Sequence, residues 1–201
     1  MHRSTGVVIF SLFLGALPAM AQPAYFGPER ATGFFGLGFS APVNPLANRL
    51  DAGWNVAGGV GVTGQYAGLM VDLMYNSFGI NSKNLGLAQA TDGSQRYWAI
   101  TIDPVFHVNQ RGPVDFYVTG GAGLYGQITR YELNSNVAGG FGQYNLVSSN
   151  TIYKGGVDGG AGFAFNIGYS PVKLFVEARF HHVFTGGPGA SFVPVTVGVS
   201  F

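Results

Sequence analysis

Few residues in this sequence combine the type and the spacing needed for chemistry. His181 and His182 are adjacent, with Glu177 shortly before them and Ser191 shortly after. A histidine with a hydroxyl and an acid is the makings of a nucleophilic centre. The second group is Asp72, Asp103, Glu177 and Arg179. Buried together, these would pair as ions, because a lone charge out of water is costly. Left wet, the same set would line a narrow ion path. The sequence has no cysteine, which removes disulfides and thiolate metal ligands. Neither a cofactor nor a metal site is expected.

The elements that would hold these residues read as strands of period two. They fall at about residues 32–40, 54–64, 68–78, 96–108, 114–129, 153–167, 172–184 and 192–201. One face takes Phe35, Leu37, Phe39, Val60, Leu69, Val71, Leu73, Ile100, Ile102, Leu124, Phe163, Leu174 and Phe180. The opposite parity takes the in-strand charges Asp72, Asp103, Asp115, Asp158, Lys173, Glu177 and Arg179. Neighbouring residues of a strand point to opposite faces. His181 and His182 therefore cannot share one site, and Glu177 lies on the wrong face to serve His182. Counted along the strands, Asp72, Asp103 and Glu177 sit at similar depths, with Arg179 slightly above. Inward glycines at 59, 61, 121, 123, 160 and 162 would leave room for Tyr117, Tyr125 and Phe175.

The connections alternate long and short, the two longest covering residues 79–95 and 130–152. Strands of nine to eleven residues suit a bilayer core, and the alternation suits outer loops and inner turns. A charge facing lipid at the midplane costs about 2–4 kcal/mol for Arg or Lys, so apolar-out and charged-in is the partition a membrane barrel requires. A water-soluble barrel would show the reverse. The composition agrees: 33 glycines, 9% charged and 14% aromatic residues in a 201-residue chain. Pro104 and Pro194 fall within strands, where each removes a ladder donor, and are expected to mark bulges.

Residues 1–21 read as a cleaved signal peptide: His2 and Arg3, an apolar run over 7–17, then Ala19-Met20-Ala21. Residues 22–31 are then a short periplasmic segment and 32–201 the barrel. Loss of Arg3 leaves nine basic against nine acidic residues, a neutral chain with no excess for nucleic acid.

The final strand, Val193-Pro194-Val195-Thr196-Val197-Gly198-Val199-Ser200-Phe201, alternates strictly and ends on an aromatic. With the leader, the eight strands and the glycine-rich strand interiors, it resembles the small bacterial outer-membrane β-barrel family of OmpA-like, OmpX-like and opacity-type barrels. The resemblance covers residues 32–201. It implies an all-β fold, an eight-stranded antiparallel transmembrane up-and-down barrel in the outer membrane. It also implies that Val197, Val199 and Phe201 are read by the barrel-assembly machinery.

Trp54, Tyr75 and Trp98, with Phe184 and Phe192, would form an outer aromatic girdle. Phe106, Phe116 and Tyr169, with Tyr66 and Phe201, would form an inner one. The expected role is that of a monomeric structural or surface-interaction protein, not an enzyme, with outer-membrane lipid around it and specificity in the long loops. The alternatives are a narrow ion channel through the lumen and, less favoured, a lipid-modifying enzyme at His182.

Overall fold

Strand geometry follows from the alternation of side chains, and closure follows from the pairing. In the computed structural model the described residues are 30–87, 90–110, 112–135, 144–167, 170–187 and 189–201. The expected signal peptide, Tyr169 and the tip of the longest connection lie outside them. The strands are β1 (Arg30–Val43), β2 (Gly53–Thr63), β3 (Ala67–Gly79), β4 (Ala90–His107), β5 (Val114–Ser135), β6 (Tyr144–Asn166), β7 (Lys173–Val183) and β8 (Ala190–Ser200). Each pairs antiparallel with the next, and β8 pairs with β1 to close the barrel. A 3-10 turn, Leu46–Asn48, follows β1, and one short helix, α1 (Ser82–Leu87), follows β3.

The register sets the shape. Paired residues run from Gly33 through Val60, Val71, Ile102, Ala122, Val157, His182 and Ser191, and return to β1 at Val43, ten residues beyond the start. That stagger over eight strands corresponds to a tilt of about 40°. A barrel of this size is just wide enough to be filled by its own side chains.

The two faces separate as the alternation requires. Leu37, Val60, Leu73, Ile102 and Leu124 are between 57 and 67% exposed and face outward all around the wall. The in-strand charges Asp72, Asp103, Asp115, Glu177 and Arg179 are each at most 8% exposed. Such an apolar belt has no place in water, so it is the lipid-facing surface of a membrane-spanning barrel.

Four expectations are corrected. β1 begins at Arg30, which pairs with Thr63, two residues ahead of the expected start at Thr32. The stretch 130–152 is mostly strand rather than loop, since β5 and β6 continue to Ser135 and Tyr144. The described part of the ribbon includes Asn134, Ser135, Asn145, Ser148, Ser149 and Asn150, as suits a ribbon that stands beyond the lipid. There the backbone ladder holds it and no apolar face is needed. Likewise β4 begins at Ala90, inside the expected loop 79–95, and α1 occupies part of the rest. Neither proline makes a bulge. Ile102 pairs with Ala122 and Val105 with Thr119 in one register across Pro104, as Ala178–Val195 and His181–Phe192 do across Pro194. Pro194 also lies on the closed barrel's inner wall, where neighbouring pairs hold the strand.

Placing a cation in the belt should destabilise the barrel strongly. Leu124→Arg should lower unfolding free energy in lipid vesicles by about 2–4 kcal/mol in a urea titration. A change of a few tenths would show that this face does not meet hydrocarbon.

Candidate functional site: the barrel lumen

The lumen is built in layers, each set by the inward parity of several strands. At its centre Arg179 on β7 is 4% exposed and reaches across the barrel. Its Nη1 donates to Asp72 Oδ2 at 2.9 Å and to Asp103 Oδ2 at 3.1 Å, and lies 3.6 Å from Asp158 Oδ1. Its Nε and Nη2 both meet Glu177 Oε1, at 2.9 and 2.8 Å. Thr101 Oγ1 adds a 2.6 Å hydrogen bond to Asp103 Oδ2. The four residues grouped from sequence are thus in contact. Asp158 is legible in the sequence as inward-facing but not as a member, because only the register sets it beside His181 and two pairs from Arg179. One guanidinium faces four carboxylates.

Glycines make the space. A Cβ on Gly59 would strike Asp72 Oδ1, and one on Gly121 would strike Asp103 Oδ1. On Gly162 it would meet the Tyr117 ring, and on Gly156 the Tyr125 ring. The small residues lie across from the large ones, as a narrow packed interior requires.

Toward the long-loop end the lumen closes. Ser40, Asn55, Asn76 and Thr196 form a buried amide and hydroxyl net. Ser40 Oγ donates to Asn76 Oδ1 at 2.6 Å and Thr196 Oγ1 to Asn55 Oδ1 at 2.9 Å. Above it Phe78, Tyr97 and Phe192 are at most 1% exposed and pack edge-on or tilted at 5.2–6.1 Å between ring centres. His181 stacks on Phe192 at 5.2 Å, with its Nδ1 2.8 Å from Tyr125 Oη. Leu46 and Leu50 from the first outer connection and Ile80 after β3 cover the rings. The connections are tied together by the Leu50–Ile80 bridge and by Asn81 and Asn84, whose amides both donate to Asn48 O at 3.0 Å. Phe192 therefore belongs to this seal and not to an outer girdle: residue 192 has the inward parity of Pro194 and Thr196.

At the short-turn end the lumen is open. A cavity of about 520 Å³ runs from Arg30, Gln65 and Lys173 at the mouth to Asp72, Glu177 and Arg179 at the floor. Beside the mouth, His107 Nδ1 lies 2.6 Å from Asp115 Oδ2, and its Nε2 lies 3.2 Å from Thr63 Oγ1. Gln110 Nε2 donates to the same hydroxyl at 3.1 Å. Sequence reasoning misses this chain. Its members are far apart in sequence, and only the turns bring β2, β4 and β5 together there.

No protein-family model matches the sequence, and no curated protein matches it. Among solved structures, a major outer membrane protein from Thermus thermophilus superposes with TM-score 0.58 at 10% identity, over 87% of this chain and 98% of that one. Neisserial surface protein A superposes with TM-score 0.57 at 13% identity, over 86% of this chain and 97% of that one. This chain therefore has the fold of small outer-membrane β-barrels, a closed barrel of eight antiparallel strands.

On the barrel's outer face the aromatics sit at two levels. Tyr75 pairs with Trp98, Trp98 with Gly126 and Gly126 with Tyr153. The Trp98 indole lies across Gly126, where a Cβ would strike it, and meets Tyr153 at 5.7 Å. Trp54 meets Tyr75 at 5.4 Å. At the other end Phe116 packs on Phe163 at 5.2 Å and Phe106 is 38% exposed. In β8, Val197 pairs with Leu37 and Val176, and Val199 with Phe35 and Leu174. Phe201 exchanges two backbone hydrogen bonds of 2.9 Å with Gly33 at the closing seam.

His182 faces outward and lies with its Nδ1 2.8 Å from Ser191 Oγ. Glu177 is turned into the lumen and held by Arg179, so the histidine, serine and acid do not form one centre.

The central layer makes a directional stability prediction. Arg179→Met strands four buried carboxylates and should cost about 3–5 kcal/mol. Asp158→Asn, which lowers the carboxylate excess, should cost under about 1.5 kcal/mol. Urea unfolding of the refolded variants reads both. Equal losses would mean that the guanidinium is not the centre of the layer.

Proposed function

We propose that this outer-membrane barrel is a monomeric surface protein whose lumen is a plug and whose interactions are made by its outer loops and projecting hairpin. The observation that carries this reading is the sealed outer half of the lumen, where Phe78, Tyr97 and Phe192 are at most 1% exposed beneath Leu46 and Leu50. Packing this tight disfavours the passage of water and ions, so a channel role is the weaker reading. The central ion network then serves to fill and brace a narrow barrel.

The projecting ribbon supports the surface role. β5 runs nine residues past Gly126 to Ser135, about 30 Å along the strand, and β6 returns beside it. Loops and ribbons on a rigid scaffold are where binding is commonly carried. The name of Neisserial surface protein A, a structure of the same fold, is in keeping with this reading. In it residues 1–21 are a cleaved leader, the two aromatic levels are girdles at the lipid boundaries, and Val197, Val199 and Phe201 form the assembly signal. Trp54, Tyr75, Trp98, Phe106 and Phe116 serve the girdles. No enzymatic role is assigned, since among the described residues the His182–Ser191 pair has no acid hydrogen-bonded to it.

Two measurements test the proposal. Folded protein in planar bilayers should show no single-channel steps, whereas steady openings would establish the ion path instead. The absence of cysteine gives a clean labelling background. Ser149→Cys on the ribbon should react with an impermeant maleimide on intact cells, and Ser170→Cys at a short turn should not. The reverse pattern would invert the orientation.

A further inference from the structure

The open inner half of the lumen is a ligand-sized blind pocket, and its chemistry is zoned. We infer that the cavity bounded by Phe34, Met70, Tyr117, Phe175, Asp72 and Glu177 is a binding site for a small organic cation with an apolar body, entered from the short-turn side. At about 520 Å³ it lies within the range of small-molecule sites, roughly 300–1,000 Å³. It is distinct from the outer loops and needs no opening of the seal.

The walls are apolar and aromatic. Phe34 and Phe175 meet edge to face at 5.6 Å, and Tyr117 and Ala164 pack against Phe175. Glycines keep this volume free of further side chains: a Cβ on Gly36 or Gly198 would press on the Phe175 ring, and one on Gly61 on Met70 Sδ. Aromatic faces attract an ammonium group, most strongly when it is desolvated.

The floor holds more carboxyl groups than basic side chains. Among the described residues, Arg179 is the only Lys or Arg in contact with Asp72, Asp103, Asp158 and Glu177. Asp72 is 3% exposed, lines the cavity, and has one oxygen, Oδ1, without a hydrogen-bond partner. That orphaned acceptor lies over Gly59, where Phe34 also comes close. A buried carboxylate oxygen against an aromatic wall wants a cation, and Arg179 has already committed its Nη1 to the other oxygen.

Arg30 and Lys173 at the mouth favour the opposite charge, which makes the inference sharp. If the mouth governed, an anion would bind there; if the floor governs, a cation binds deep. Asp115 also lines the mouth, so basic and acidic side chains balance along the lining as a whole, and the case for the cation rests on the floor, where Arg179 alone is shared among four carboxyl groups.

The test uses the refolded full barrel in lipid nanodiscs, with benzyltrimethylammonium and benzoate as probes in calorimetric titrations. Benzyltrimethylammonium should bind and benzoate should not. Asp72→Asn should weaken the cation about ten-fold. Phe175→Leu, which keeps every charge, should weaken it several-fold. Heat-dependent gel mobility confirms that each variant is folded. Preference for benzoate, binding of neither probe, or cation binding unchanged in both folded variants would overturn the inference. A silent bilayer with cation binding, or conductance without it, separates this inference from the plugged surface role.

Discussion

A chain that crosses a bilayer with strands must pair every backbone N–H and C=O within itself, because hydrocarbon offers no partner. Closure of β8 on β1 meets that demand, and the other features of the molecule depend on it. Closure with a ten-residue stagger gives every strand one face toward lipid and one toward a narrow axis. The lipid face can then carry almost nothing but apolar side chains, and the charges at membrane depth, among them Asp72, Asp103, Glu177 and Arg179, are forced inward. The prolines show how robust the closed ladder is. Each omits a donor, and the pairs on either side keep the register.

Charges confined to so narrow a lumen have to meet one another. Arg179 is long enough to reach carboxylates from β3, β4 and β6 as well as Glu177 two residues away on its own strand. Burial makes each of these groups expensive alone and mutually stabilising together. The layers above need no charge, since rings and amides fill the same width at lower desolvation cost. The result is an asymmetric barrel: packed shut toward the loops, charged in the middle and hollow toward the turns. The asymmetry is what separates a sealed end from a hollow one.

Much of this is readable from the chain. The period-two alternation predicts eight strands and which face each residue takes, because the cost of placing charge in lipid leaves a direct imprint on parity. Parity also puts His181 and His182 on opposite sides. Position near a strand end suggests a girdle for Phe192, whereas its parity with Thr196 is what turns it inward. The ribbon of β5 and β6 reads as loop for a related reason. Outside the membrane no solvent contrast acts on the two faces, so no alternation marks the strands.

What the sequence by itself determined is therefore everything that depends on one strand against its solvent: strand number, facing, the lipid belt, and the inward set that includes Asp72, Asp103, Glu177 and Arg179. What only the tertiary structure decided depends on register and closure. Asp158 joins Arg179, the His107–Asp115–Thr63 chain assembles, and Trp98 finds its gap at Gly126 because staggered neighbours come level around a closed wall. Local alternation records which way a side chain points. Which side chains meet is set by a stagger that no single strand contains.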